Sequence, residues 1–116
     1  MRIKESGIIV FMENYESSLE FYVNQLGFQI REQKEDLSIL YFGNSYLMIE
    51  KNGVSSPAPK KRDQNPTVLR LDLLDFDDSV KALQDRGVLV DVHVLDWGTI
   101  AAIIDPEGNR IELKKS

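Results

Sequence analysis

Short apolar runs and helical stripes alternate along this chain, and their order occurs twice. Residues 8–12 form an apolar run of strand length. Asn14 then offers a helix N-cap, because its side-chain oxygen can accept a free backbone N–H of the first turn. Tyr15, Leu19, Tyr22, Val23 and Leu26 recur at helical spacing and predict one apolar stripe. Gly27 stops that helix in the left-handed conformation. Residues 28–33 and 37–42 read as strands, Gly43-Asn44 as a tight turn, and residues 46–50 as a further strand.

Residues 51–66 break the pattern. Gly53, Ser55, Ser56, Pro57, Pro59 and Pro66 interrupt any regular element, and Lys60, Lys61 and Arg62 read as a solvated basic triplet, so this stretch is a linker. Contact of the triplet with an acidic group is the alternative. The earlier order then returns. Residues 67–73 predict a strand, and Asp75 or Asp77 caps a helix carrying Phe76, Val80 and Leu83, with Gly87 as its stop. Residues 88–95 alternate strictly. Val88, Val90, Val92 and Val94 fall on the face beneath the helix, and Leu89, Asp91, His93 and Leu95 on the other. Residues 99–104 and 110–114 are strands around the turn Asp105-Pro106-Glu107-Gly108-Asn109. The fold class is therefore α+β. It has a β-α-β-β-β module over residues 1–50, a linker over 51–66 and a second module over 67–116, all within one domain. Each half is marginal alone, so the modules are expected to share a core or to dimerise.

Composition narrows the function classes. The net charge of -5 over 116 residues argues against a nucleic-acid surface, which needs a basic stripe, and favours neutral or cationic partners. The absence of cysteine removes disulfides, thiolate metal sites and cysteine nucleophiles. No apolar run approaches the roughly 20 residues that span a bilayer, and residues 7–12 are too short for the apolar part of a signal peptide. A cytoplasmic protein with no membrane partner is the expectation. No phosphate loop, nucleophile elbow or paired-histidine zinc motif occurs.

Two segments carry a resemblance. They are Ser17-Ser18-Leu19-Glu20-Phe21-Tyr22 leading to Leu26-Gly27-Phe28, and Trp97-Gly98 with the closing Asp105-Pro106-Glu107-Gly108-Asn109-Arg110-Ile111-Glu112-Leu113. With the module repeat, they make the chain similar to the vicinal-oxygen-chelate superfamily of glyoxalases, bleomycin-resistance proteins and ring-cleaving dioxygenases. The resemblance implies two modules forming an eight-stranded open barrel with a ligand cleft, and a homodimer. It also implies four metal-ligand positions, on the first and last strand of each module. Carried onto this sequence, these are Gly7 (or Ile8), Glu50, Val68 (or Thr67) and Glu112. None is a histidine. Two carboxylates alone can hold Mg²⁺ or Mn²⁺ if water and substrate complete the shell, but they do not make a typical Zn²⁺, Ni²⁺ or Fe²⁺ site. No cofactor is expected, a divalent ion being the alternative.

Period-2 alternation from those positions selects the other residues facing the implied cleft. Arg70 sits two residues from the missing ligand at Val68, where its guanidinium can neutralise Glu50 or Glu112 in place of a metal. This is either a structural ion pair or a charge left to meet a ligand. His93, the sole histidine, is a proton shuttle or a packing residue. Trp97, the sole tryptophan, stacks on a flat ligand or closes an edge. Tyr41 and Tyr46 serve as aromatic walls or as core. The ligand-binding candidates are thus Glu50, Arg70, His93, Trp97 and Glu112, with Glu50 and Glu112 as the ligands of any metal. The expected function is capture of a small, partly aromatic or cationic molecule. A metal-dependent enzyme of lactoylglutathione lyase or dioxygenase type, and a degenerate structural or regulatory member with a filled cleft, are the alternatives. Whether any reaction is catalysed stays open.

Overall fold

In the computed structural model, which describes all 116 residues, the chain divides into two compact units, Met1–Ser55 and Ser56–Ser116. The first unit runs β1 (Gly7–Met12), α1 (Tyr15–Glu20), a π-helical turn (Phe21–Gln25), β2 (Ile30–Gln33), β3 (Leu37–Phe42) and β4 (Ser45–Lys51). Its sheet has the order β1-β4-β3-β2. β1 lies parallel to β4, and the other pairs are antiparallel. A parallel pair needs a crossover connection, which the helix supplies.

The second unit repeats this plan with β5 (Leu69–Leu73), α2 (Phe76–Asp85), β6 (Asp91–Leu95), β7 (Gly98–Ile104) and β8 (Arg110–Lys115). Its order is β5-β8-β7-β6, again with the first and last strands parallel. The expected pair of βαβββ modules is therefore what the chain forms.

Local chemistry explains the helix ends. Oδ1 of Asn14 accepts the Ser17 N–H at 3.2 Å, as its N-cap position predicts. Gly27 leaves the helical region at φ 90°, a left-handed value that costs glycine little. Asp75 occupies the N-cap position of α2 but makes no side-chain capping bond.

The first helical stripe needs correction. The backbone widens into the π-helical turn after Glu20, so the side chains slip out of the 3.6-residue period. Phe21 and Tyr22 enter the core, while Val23 and Leu26 remain partly exposed. Phe21 meets Tyr22 edge-on at 5.6 Å, and Phe28 stacks on Phe42 at 6.0 Å. Beneath the helix, alternate strand residues Leu40, Leu47 and Ile49 are fully buried. Ser38 is buried among them because the Tyr15 hydroxyl lies 2.6 Å from its Oγ.

In the second unit Leu69, Ile103, Ile111 and Leu113 are buried on the helix side with Phe76, Val80 and Leu83. The valine alternation of residues 88–95 holds only in part. Strand pairing begins at Asp91, and Val92 and Val94 stand 42% and 81% exposed. Val92 pairs with the buried Ala101, so it does project from the helix side of the sheet. β6 is the edge strand, however, and α2 packs against β8 rather than over it. β2 and β5 are also shorter than predicted, starting at Ile30 and Leu69.

The linker is not a plain solvated loop. Lys60 donates from Nζ to Oδ1 of Asn109 at 3.1 Å, and Asn65 donates its amide to the same oxygen at 2.8 Å. The Ser56 N–H donates to the Glu107 carbonyl, and the Lys60 N–H to that of Gly108. Residues 56–65 are thereby tied to the turn before β8.

Candidate functional site

Each sheet has one face under its helix and one open face, and the candidate residues sort by this division. In the second unit the open face carries Arg70 on β5, Glu112 and Arg110 on β8, Ala102 on β7, and Asp91 and His93 on β6. Arg70 and Glu112 are register partners on adjacent strands. Their side chains meet, with Arg70 Nη1 3.3 Å from Glu112 Oε1. Arg110, two residues before Glu112, reaches its other oxygen at 3.4 Å. Arg70 also lies 3.6 Å from Asp72 through Nε. Glu112 is thus held between two guanidinium groups.

His93 lies on the same face at the far edge strand. Its Nε2 is 2.9 Å from Asp91 Oδ2. If Nε2 carries the proton of the neutral ring, Nδ1 is left as the basic nitrogen. Both side chains are open to solvent, and no third residue orients the pair. Trp97 sits in the β6–β7 turn, 61% exposed. It is at the opposite end of the sheet from Arg110, whose register partner Ile104 stands six positions beyond Gly98 on β7. At the strand rise this is about 20 Å. A small molecule therefore does not touch Trp97 and Arg110 together.

In the first unit the open face carries Ile9 and Phe11 on β1, with Tyr46, Met48 and Glu50 on β4. Glu50 is half-buried and is flanked in register by Phe11 and Leu37. Gly7 pairs with Tyr46, whose phenol ring covers its backbone so closely that a Cβ there would overlap the ring. Arg31 lies over that ring, 5.1 Å from its centre, and is held by Glu5 at 2.8 Å. Tyr46 is therefore neither a free cleft wall nor core. It fills the space that a side chain at residue 7 would take.

These observations test the four implied ligand positions. Gly7 has no donor, and Tyr46 occupies its place. Val68 is apolar. Glu112 is already paired with two arginines. No three histidine, aspartate or glutamate side chains gather within either unit. The residues present do not fit the family's metal.

A site feature that the sequence reading left unassigned is a cavity of about 360 Å³ in the second unit, at the Arg110 end of the open face. Lys60, Lys61, Arg62 and Arg110 line it, with Asn65 and Thr67 as neutral donors. The available signal was a run of three cations in an acidic chain. What joins it to the sheet is Asn109, a contact between residues 49 apart.

Comparison with known proteins bears on the whole chain. The family model of the Glyoxalase/Bleomycin resistance protein/Dioxygenase superfamily matches residues 6–113. No curated protein matches the sequence. Among solved structures, an antibiotic-binding protein from a Streptomyces species is similar with a TM-score of 0.77 and 24% identity, covering 99% of this chain and 98% of its own. A bleomycin resistance determinant encoded on the transposon Tn5 is similar with a TM-score of 0.74 and 20% identity, covering 98% of each chain. A lactoylglutathione lyase from Agrobacterium tumefaciens also has a TM-score of 0.74, at 17% identity, covering 95% of this chain and 91% of its own. At these identities the likeness is one of fold, and an antibiotic-binding protein, a resistance determinant and a lyase share it.

Proposed function

Because the chain belongs to the Glyoxalase/Bleomycin resistance protein/Dioxygenase superfamily, we propose that it binds a small molecule, aromatic in part, without a family-type catalytic metal. The observation that carries this reading is the pairing of Glu112 with Arg70 and Arg110. A carboxylate ligating a divalent ion must give its lone pairs and charge to the metal. Here two guanidinium groups at 3.3 and 3.4 Å already balance that charge. The open face of the first unit supports the aromatic part, with Phe11 and Met48 offering ring and apolar surface. Of the two ligand chemistries considered, aromatic and cationic, the cation-lined cavity speaks for the aromatic one. The antibiotic-binding protein is a relative in fold with a binding role, consistent with this choice.

The test is elemental analysis of protein purified without chelator, followed by titration with Mg²⁺, Mn²⁺, Ni²⁺ and Zn²⁺. The expected result is no stoichiometric metal. Stoichiometric metal that is lost in Glu50→Gln or Glu112→Gln would overturn the proposal. It would favour the metal-dependent enzyme, for which the unclaimed half-buried Glu50 is the specific support. The same ion pair that argues against a metal also suits a degenerate member whose site is filled by its own side chains. A thermal-shift screen of flat aromatic compounds separates the two, since only a binder is stabilised by ligand.

Homodimerisation is part of the proposal. Ile9, Phe11, Val94 and Trp97 are exposed, and β1 and β6 end their sheets unpaired. Such edges and apolar residues favour association. Sedimentation velocity at micromolar concentration checks this, with a single species near twice the 13.3 kDa chain mass expected. No helix is long and apolar enough to cross a membrane.

A further inference from the structure

We infer that the cavity beside Arg110 is an anion site, taking a carboxylate or phosphate-type group on a small molecule. The inference deepens the proposed binding function and rests on it, since it assigns a ligand chemistry to one place on the second unit.

The chain carries a net charge of -5, yet four of the residues lining this one cavity are Lys60, Lys61, Arg62 and Arg110. The only acidic lining residue is Glu112, and Arg70, just outside the cavity, shares it at 3.3 Å. Positive charge in the cavity therefore exceeds negative by a wide margin. Like charges gathered in one concavity repel, and a bound anion relieves that repulsion while gaining charge-assisted hydrogen bonds.

The cluster is also built rather than accidental. Asp105 and Asn109 are both buried, and Asp105 Oδ2 accepts the Asn109 amide at 2.9 Å. This orients Asn109 so that Oδ1 accepts from both Lys60 and Asn65. Asn65 in turn accepts the Thr67 hydroxyl at 2.8 Å. The Gln64 and Asn65 N–H groups donate back to the Lys61 carbonyl and fold residues 61–65 into a turn. A buried polar chain thus fixes the cationic lip against the start of β8. Lys61 and Arg62 are exposed, and neither charged end enters an ion pair. Volume agrees with the assignment, since about 360 Å³ lies at the small end of ligand cavities.

The experiment is a ¹H–¹⁵N titration of the intact chain with inorganic phosphate, benzoate and benzylammonium, with tryptophan fluorescence read in parallel. Phosphate and benzoate are expected to shift resonances of residues 60–67 and 110 with one saturating curve, weakened by added chloride. Benzylammonium should leave those resonances unmoved. The double variant Lys61→Ala/Arg62→Ala removes exposed side chains and should stay folded, with affinity for both anions reduced at least tenfold. Shifts that do not saturate, or that spread equally to Arg31, Lys51 and Lys115, would overturn the anion site. So would unchanged affinity in the double variant. If both anions fail while a neutral aromatic compound binds and perturbs Trp97 or the Tyr46 face, the anion site falls and the binding function stands. If nothing binds, both fall.

Discussion

The phenol ring of Tyr46 lies across the backbone of Gly7, its register partner on the neighbouring parallel strand. An aromatic ring laid over an edge-strand glycine packs against the backbone through the space of the missing Cβ. The Arg31 guanidinium closes the stack from above. The same relationship removes residue 7 from any ligating role.

Substitution at this point should be costly in a recognisable way. Gly7→Ala forces the ring off its seat and should destabilise the protein by about 1–3 kcal/mol, as overpacking does. In the Tyr46→Leu background the same change should cost much less, because the ring it collides with is gone. Urea unfolding of the four proteins of this double-mutant cycle measures the coupling.

The Arg70–Glu112 pair invites a second cycle. Glu112 is mostly covered and Arg70 is about two-fifths exposed, so solvent screens the pair in part. Arg70→Met and Glu112→Gln should each cost up to about 1 kcal/mol, with a coupling of about 0.5–1 kcal/mol that shrinks in 1 M salt. A coupling of zero would mean that Arg110 alone satisfies the carboxylate.

The closing turn is the most demanding polar element. The carboxylate of Asp105 accepts the N–H groups of Glu107 and Asn109 at 2.9 and 2.8 Å, as well as the Asn109 amide. Asp105→Ala leaves these buried donors unmatched and should cost about 2–4 kcal/mol. Asn109→Ala should cost less but free residues 60–67, seen as faster amide exchange there than in β5. Gly108 belongs to the same turn at φ 88°, where an added Cβ would lie 2.7 Å from the Ala58 carbonyl oxygen. Gly108→Ala is expected to combine backbone strain with that collision.

Alkaline pH offers a smaller test. Asp36, 2.9 Å away, holds the Lys51 ammonium above its ordinary value of 10.5, by a hydrogen bond first and by charge second. A raised value in the folded state means that this contribution is complete below 10.5 and is lost as pH climbs through the folded value. Side-chain NMR titration should show the elevation, and Asp36→Asn should remove most of it, leaving the smaller effect of Glu35 and Glu16.

Much of the fold is legible in the chain itself, and particular residues show why. Asn14 caps and Gly27 stops a helix through bonds and torsions within a few residues, so their roles need no distant partner. The strands and their repeat follow from alternation. The limits appear where a local pattern meets a packing constraint. Val92 and Val94 alternate correctly yet stay exposed, because α2 packs against β8 rather than over their edge strand. Val23 and Leu26 sit on a regular stripe that the π-helical turn displaces. The candidate site was legible residue by residue but not as a group. Arg70 and Glu112 do meet, while Trp97 stands at the other end of the same sheet from Arg110.

The sequence by itself determined two βαβββ modules, their turns, their capping residues and the want of histidine at the family's ligand positions, since each depends on composition or on neighbours a few residues apart. Tertiary structure decided that Tyr46 fills the place of a side chain at residue 7, that Arg70 meets Glu112, and that Lys60 and Asn65 gather on Asn109 around a basic cavity. Those outcomes rest on strand register and on contacts between residues dozens of positions apart. Side-chain periodicity says which face a residue takes, and only the paired strands say whom it meets there.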